Sequence, residues 1–271
     1  MKRPIAVLSV GLMAAAAALF GAGSAGAAGT GTGTVYVVHG IPATPVDVYV
    51  DGAKAINDFQ PGTVNGPLEL PAGTHKIAIT AAGAKDASTP VISGTADLKA
   101  GANVSLVANL TAAGKPTLSV FSNDVSAIAA GQTRLVVRHT AAAPAVDVRA
   151  GGKVVLPGVT NPNQGVLNIP AGTVSADVTL AGTDTVVIGP ADLTLPEGTA
   201  TFVHAIGSAS GKTLGLVSFT ISGLGSTPNG VPAGSGPAGP AVPVGVLVIV
   251  LLAGAGVVAI SGRRLLGGRG R

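Results

Sequence analysis

The chain has 271 residues, of which 47% are hydrophobic, 3% aromatic and 10% charged, and it contains 41 glycines, 19 prolines and no cysteine. This much apolar content can bury a core, which argues against an intrinsically disordered chain. The lack of cysteine excludes disulfide frameworks, zinc-thiolate sites and cysteine nucleophiles. The low charge content also argues against a coiled coil or a long helical bundle.

The formal net charge of +4 comes from the two ends of the chain. Six of the 16 basic residues lie outside residues 28–240, which leaves 10 basic residues against all 12 acidic ones and a net charge of −2. A nucleic-acid-binding protein carries its positive charge on the folded surface, so this distribution argues against a nucleic-acid partner.

An N-terminal signal peptide is predicted for residues 1–27. Lys2 and Arg3 form a positive start, residues 5–20 are apolar, and residues 25–27, AGA, have the small-x-small pattern of a cleavage site. We expect cleavage after Ala27, with an uncleaved anchor as the alternative. The folded part is therefore predicted to lie outside the cytoplasm.

A single transmembrane helix is predicted for residues 241–261. At 1.5 Å rise per residue, about 20 apolar residues cross a hydrocarbon core of roughly 30 Å. The basic tail 262–271, which contains Arg263 and Arg264, then lies in the cytoplasm by the positive-inside rule. Residues 223–240, rich in glycine and proline, are predicted to form a stalk. These features predict a single-pass cell-membrane protein with an N-terminal ectodomain.

Between the signal peptide and the stalk, short valine-rich runs alternate with glycine and proline turns, which indicates β-strands. Residues 46–50, VDVYV, alternate strictly, and the order of motifs recurs about one hundred residues later. Residues 146–148 repeat VDV, and residues 68–74, LELPAGT, return as residues 167–173, LNIPAGT. The sequence therefore predicts two copies of one domain.

The two copies are predicted at residues 34–121 and 133–221. A unit of about 90 residues with seven or eight short strands has the size of an immunoglobulin-like sandwich. A small barrel is the alternative. The predicted fold class is all-β, with two tandem immunoglobulin-like β-sandwich domains besides the signal peptide and the membrane helix.

Residues 37–52, VVHGIPATPVDVYVDG, followed by residues 68–73, LELPAG, resemble the family catalogued as domain of unknown function 4397. The second copy is similar more loosely, because residues 149–151 are RAG where the first copy has YVD. The resemblance implies a β-sandwich that is secreted or surface-anchored, commonly in bacteria with alanine- and glycine-rich proteomes. It implies no known activity.

One polar pair recurs in both copies, as His39 with Asp47 and as His139 with Asp147. A histidine and a carboxylate could orient a nucleophile or help to hold a metal. The sequence supplies neither a recurring nucleophile nor the further ligands that a metal needs. We expect both pairs to hydrogen-bond loop backbone at strand ends, and we predict no catalytic residue, cofactor or metal.

The same four residues and Tyr49 are weak candidates for a surface-loop site. Tyr49 alternates with inward-facing valines and is expected to expose its ring, as sugar stacking would require. His75 and His204 have no counterpart in the other copy and are expected at the surface or at a sheet edge.

The sequence therefore predicts a membrane-anchored cell-surface protein that serves in binding, adhesion or envelope structure, without catalysis. Its expected partners are the membrane and an extracellular protein or envelope polymer. Two alternatives stay open, namely an extracytoplasmic hydrolase that uses the His39 and Asp47 loop region, and a passive spacer for other surface proteins.

Overall fold

The computed structural model describes residues 31–226 and the backbone of Leu251–Leu252. Every regular element in these residues is a β-strand, which confirms the all-β prediction. The described residues contain no helix that is long and apolar enough to span a membrane. The predicted signal peptide and tail, and most of the predicted stalk and membrane helix, lie outside the described residues.

The first half of the described chain contains eight strands, numbered in chain order. They are β1 (Thr32–His39), β2 (Val46–Val50), β3 (Ala53–Phe59), β4 (Val64–Pro71), β5 (Gly73–Ala81), β6 (Ile92–Leu98), β7 (Asn103–Leu110) and β8 (Pro116–Ser122). They form two sheets with the orders β4-β1-β7-β8 and β3-β2-β5-β6. The pair β1 and β7 is parallel, and all other neighbours are antiparallel.

The second half repeats this strand order. Its strands are β9 (Gln132–His139), β10 (Val146–Ala150), β11 (Lys153–Val159), β12 (Gln164–Pro170), β13 (Gly172–Leu180), β14 (Val186–Leu195), β15 (Ala200–Ile206) and β16 (Gly215–Ile221). The sheets are β12-β9-β15-β16 and β11-β10-β13-β14, and the two-residue strand β17 (Leu251–Leu252) pairs with β16 at the edge of the first of them.

This order corrects the immunoglobulin-like part of the fold prediction. In an immunoglobulin domain the first two strands lie side by side in one sheet. Here β1 and β2 lie in different sheets, and β1 lies between β4 and β7. Alternation of apolar residues tells which face of a strand is buried but not which strand lies beside it, so the sequence could not supply this order.

Each half buries a core between its own two sheets. In the first half Val35 and Leu106 of one sheet belong to the same buried cluster as Val48 and Ile79 of the other. In the second half the corresponding space holds two smaller clusters, one of which includes Leu135, Val148 and Val203. Both halves are therefore β-sandwiches, with the alternate residues of each strand facing inward.

A further core lies between the two halves. Tyr36 and Val107 of the first half share one buried cluster with Phe202 and Phe219 of the second. The rings of Tyr36 and Phe219 stack with centroids 4.5 Å apart, and those of Phe202 and Phe219 with centroids 4.9 Å apart. Strand β15 is consequently buried at every position, because its sheet is covered on both faces. Four sheets therefore stack in succession.

Candidate functional site

His39 ends β1 and fastens the loop that leads to β2. Its Nε2 lies 2.9 Å from the carbonyl oxygen of Thr44, and its Nδ1 accepts a hydrogen bond from the backbone N–H of Ile41 at 3.4 Å. This pattern assigns the ring proton to Nε2. Burial lowers the pKa of His39, which keeps the imidazole neutral near pH 7. The ring therefore acts as a brace across the loop.

Asp47 lies in β2 and connects strand β3 to the loop between β5 and β6. Its Oδ1 accepts from the backbone N–H of Asp58 at 2.8 Å, and its Oδ2 accepts from Lys54 Nζ at 2.6 Å and from the N–H of Gly83 at 3.1 Å. Burial alone would raise the pKa of Asp47, but the bonds from Lys54 and from the two backbone amides outweigh it and lower that pKa. The carboxylate stays charged, and both of its oxygens accept hydrogen bonds.

The second half repeats both arrangements. His139 Nε2 lies 2.9 Å from the carbonyl oxygen of Pro144, and Asp147 accepts from the backbone N–H groups of Gly158 at 2.7 Å and Gly182 at 2.8 Å. No lysine takes the place of Lys54 here, and the two amides by themselves lower the pKa of Asp147. In both halves the histidine bonds to the loop that follows its strand, and the aspartate bonds to a neighbouring strand and to a second loop, as backbone braces do.

Tyr49 corrects the expectation of an exposed ring. Its side chain is buried, and its hydroxyl donates to the carbonyl oxygen of Ala84 at 3.1 Å. Lys54 Nζ lies 5.4 Å from the centre of the ring. The loop between β5 and β6 folds over this face of β2, a long-range contact that the alternation of the strand does not reveal. Tyr49 therefore offers no platform for a sugar.

His75 and His204, expected at the surface or at a sheet edge, are both buried, and each lies in a strand with a neighbour on both sides. His75 Nδ1 lies 2.7 Å from Asp51 Oδ2, and its Nε2 lies 2.7 Å from the carbonyl oxygen of Pro71. The Pro71 carbonyl and then the Asp51 carboxylate raise the pKa of His75. His204 is fully buried in β15, because the sheet of the first half covers its face of that strand.

A buried arginine is the main polar feature that the sequence reasoning missed. The fully buried Arg138 side chain crosses from β9 into the first half, where Nη1 donates to Ser105 Oγ at 2.9 Å and Nη2 to Asn123 Oδ1 at 2.8 Å. Its Nε donates to Gln164 Oε1 at 2.8 Å. The guanidinium carbon lies 4.6 Å from the centre of the Phe121 ring. One side chain thus connects both halves.

His204 completes this Arg138 cluster. Arg138 Nη1 lies 3.3 Å from His204 Nε2, and because arginine only donates, that nitrogen must be the unprotonated one. Burial and then the charge of Arg138 lower the pKa of His204 well below its ordinary value, and burial lowers the pKa of Arg138 to about 9. At neutral pH the cluster therefore holds one positive charge.

The repeat shows what the Arg138 cluster replaces. In the first half Val38 pairs with Val107 across β1 and β7, and in the second half Arg138 pairs with His204 across β9 and β15. All four residues are buried. The available signal in the sequence was an arginine inside the apolar run 135–139, LVVRH, where the first half has valine. A charge in such a run indicates a specific buried partner.

These arrangements restrict the chemistry of the described surface. The recurring histidines and aspartates are buried and bonded to backbone, and within residues 31–226 no three His, Asp or Glu side chains are grouped as metal ligands would be. A general base must reach the proton that it removes. The geometry of these residues therefore suits structural support of loops and of the contact between the halves.

Comparison with known proteins finds a family model that matches part of the chain. Residues 33–149 match the family described as Domain of unknown function (DUF4397). The match begins at the second residue of β1 and ends within β10. It therefore continues past the first sandwich. No curated protein matches the chain.

Proposed function

We propose that this protein is a membrane-anchored surface protein whose two sandwiches form one rigid head for binding, adhesion or envelope structure, without catalysis. The observation that carries the proposal is the buried core and the Arg138 cluster between the halves. A head of this kind presents its surfaces in a fixed relative orientation, which favours recognition of an extended or repeating partner.

The connection between the halves supports this rigidity. In the segment between β8 and β9, Ile128 is buried in the core that the halves share, and its N–H donates to the carbonyl oxygen of Leu224 at 2.7 Å. Arg134 Nη1 donates to the carbonyl oxygens of Asp124 at 2.9 Å and Ser126 at 3.1 Å. A flexible linker would leave such groups to solvent.

The location is tested by adding protease to intact cells that express the chain with an internal epitope in the exposed turn at Gly114. Loss of the epitope from intact cells supports an outward-facing head. Protection in intact cells, followed by digestion after lysis, contradicts it. A chain that ends at residue 240 is the matched control, because it keeps the head and the proposed signal but lacks the proposed anchor, and it should appear in the medium.

The role is tested by replacing residues 31–226 with an unrelated β-sandwich pair of similar size in the anchored chain. Binding to purified envelope polymer or to neighbouring cells should be lost, whereas a passive spacer would keep its function. The hydrolase alternative is addressed with the variant H39N/H139N. A hydrolytic activity that this folded variant loses would overturn the proposal.

A further inference from the structure

The second sandwich contains an open apolar cleft. It has a volume of about 400 Å³ and lies between the sheet of β9 and β12 and the sheet of β10 and β13. Its apolar lining includes Leu135, Val148, Ala150, Leu167, Ile169 and Ala176. A smaller apolar cavity of about 30 Å³ lies next to it and shares Leu135, Val148 and Ala176 as walls. The volume of the cleft falls within the range of small-molecule sites.

The first sandwich shows why the cleft exists. Val50 pairs with Ile77 across β2 and β5, and in the second half Ala150 pairs with Ala176 at the same place. Ile77 is buried in the first core, and Val50 packs against that core. Alanine at both positions removes five carbon atoms from the middle of the second sandwich.

Packing around the cleft reflects this loss. Leu156 is only partly buried, whereas its counterpart Ile56 is buried in the first half. A protein interior is ordinarily filled to the density of an organic crystal, and an unfilled apolar space costs stability. The first repeat fills the corresponding place with Val50 and Ile77, whereas the second repeat leaves room there for an occupant.

The charges near the cleft define the chemistry of that occupant. Among the described residues, Arg149 is the only charged one at the wall of the cleft, and it lies between Val148 and Ala150 in β10. Its side chain therefore points to the other face of the sheet, where its Nε lies 2.7 Å from Asp177 Oδ1 and its Nη1 3.0 Å from Asp184 Oδ1. A ligand that carried its own charge would lose its hydration in the cleft without a charged partner.

We propose that the cleft of the second sandwich binds an uncharged apolar molecule of the size of two fused aromatic rings or a short alkyl chain. Removal of apolar surface from water drives the binding, because apolar clefts that water fills poorly accept apolar ligands. This site adds a ligand to the proposed surface role, and it does not depend on where the chain is anchored.

The test uses residues 31–226, which contain the members of the four buried clusters of the described chain, from Val35 to Leu224. Cooperative thermal unfolding of the unmodified fragment is established first. The probe is neutral N-phenylnaphthylamine, whose fluorescence rises in an apolar site. We expect saturable binding of one probe per chain. The anionic probe anilinonaphthalene sulfonate should bind less tightly, and tighter binding of that anion would overturn the proposal of an uncharged ligand.

The decisive variant is Ala176→Ile, which restores the side chain that the first half has. It should weaken binding at least about tenfold, since a single methylene group in an apolar pocket already changes affinity by about tenfold or more. Ala53→Ile makes the same change at an exposed position of β3 and should leave binding unaltered. Ala150→Val serves as a second filling variant if Ala176→Ile does not fold.

Cooperative thermal unfolding of each variant shows that it is folded before its binding is measured. Unchanged affinity in a folded Ala176→Ile or Ala150→Val protein would overturn the proposal. Absence of saturable binding in the unmodified fragment would overturn it as well. Neither result would bear on the surface location, which the protease experiment tests separately.

Discussion

The substitution R138M removes the charge that joins the two halves while keeping much of the apolar volume. The Arg138 side chain donates three hydrogen bonds shorter than 3.0 Å, to Gln164, Ser105 and Asn123. A hydrogen bond from a charged donor contributes roughly 1.5–3 kcal/mol, but burial of the guanidinium, which lowers the Arg138 pKa to about 9, opposes part of this gain. We expect R138M to lower the free energy of unfolding by about 1–3 kcal/mol.

Part of this loss comes from the partners that remain. Ser105 still donates to Asn123 at 2.9 Å, so that pair keeps a bond, and Gln164 is exposed and can bond to water. His204 Nε2 is left buried without a donor, and the stacking of the guanidinium on Phe121 is lost. An unpaired buried acceptor costs about 1–3 kcal/mol, which places the penalty chiefly at His204.

Thermal and urea unfolding of residues 31–226 measures the effect. For a protein of this size, 1–3 kcal/mol corresponds to a Tm lower by about 2–12 °C. K153M, at an exposed position of β11, is the control and should change stability by no more than about 0.5 kcal/mol. R138K keeps the charge but loses the planar fork and should fall between the two.

Two outcomes would refute this reasoning about Arg138. If R138M unfolded at or above the Tm of the unmodified protein, apolar packing alone would hold the halves together. If R138M instead unfolded in two separate transitions, each half would be stable without the other, and the loss would measure docking rather than a shared core. A single transition at lower temperature is the expected result.

Three further predictions concern the braces and turns. D147N should lower the Tm at pH 7 but make little difference near pH 2, because the lowered pKa of Asp147 stabilises the fold above its ordinary value of 3.8, and that stability disappears as pH falls and the carboxyl protonates. The backbone carbonyl and the Asp51 carboxylate that bond His75 raise its pKa, so this stabilisation is present below pH 6.5 and is lost as pH rises through the raised pKa. D51N should bring the His75 pKa down in an NMR titration, and an unchanged titration would contradict the contact. Both Gly207 and Gly52 have φ of +85°, but only at Gly207 would an added Cβ clash with a backbone carbonyl oxygen, that of Thr213 in the same loop. G207A should therefore cost about 2–5 kcal/mol in urea unfolding and G52A about 1–2 kcal/mol, and equal losses would contradict the steric argument.

Local patterns predicted the strands well where one face meets a core. Residues 46–50 form β2, and Val46 and Val48 face the core of the first sandwich. The turn at Asp51 and Gly52 follows, with both residues at positive φ. These features depend on contacts between residues close in sequence and on the two-residue period of a strand, so the amino-acid order is enough to reveal them.

The same pattern failed where a strand is covered on both faces. Residues 103–110 of β7 are buried at all positions except the first, which is half-buried, and Tyr49 and His204 are buried against expectation. The second covering layer comes from residues far away in the chain, namely the loop between β5 and β6 for Tyr49 and the opposing half for β7. A strand pattern contains no information on what packs against its outer face.

The amino-acid order by itself established that the described chain is built from strands, that the motifs recur in two halves, and which histidines and aspartates recur in both. It could do so because strand periodicity, turn residues and repeats are properties of neighbouring residues. Only the three-dimensional arrangement decided which strands pair, that the halves bury a common core around Arg138, and that alanines at two repeat positions leave a cleft. Those features depend on contacts between residues that are far apart in sequence, 26 residues for Ala150 with Ala176 and 66 for Arg138 with His204, for which local chemistry leaves many partners possible.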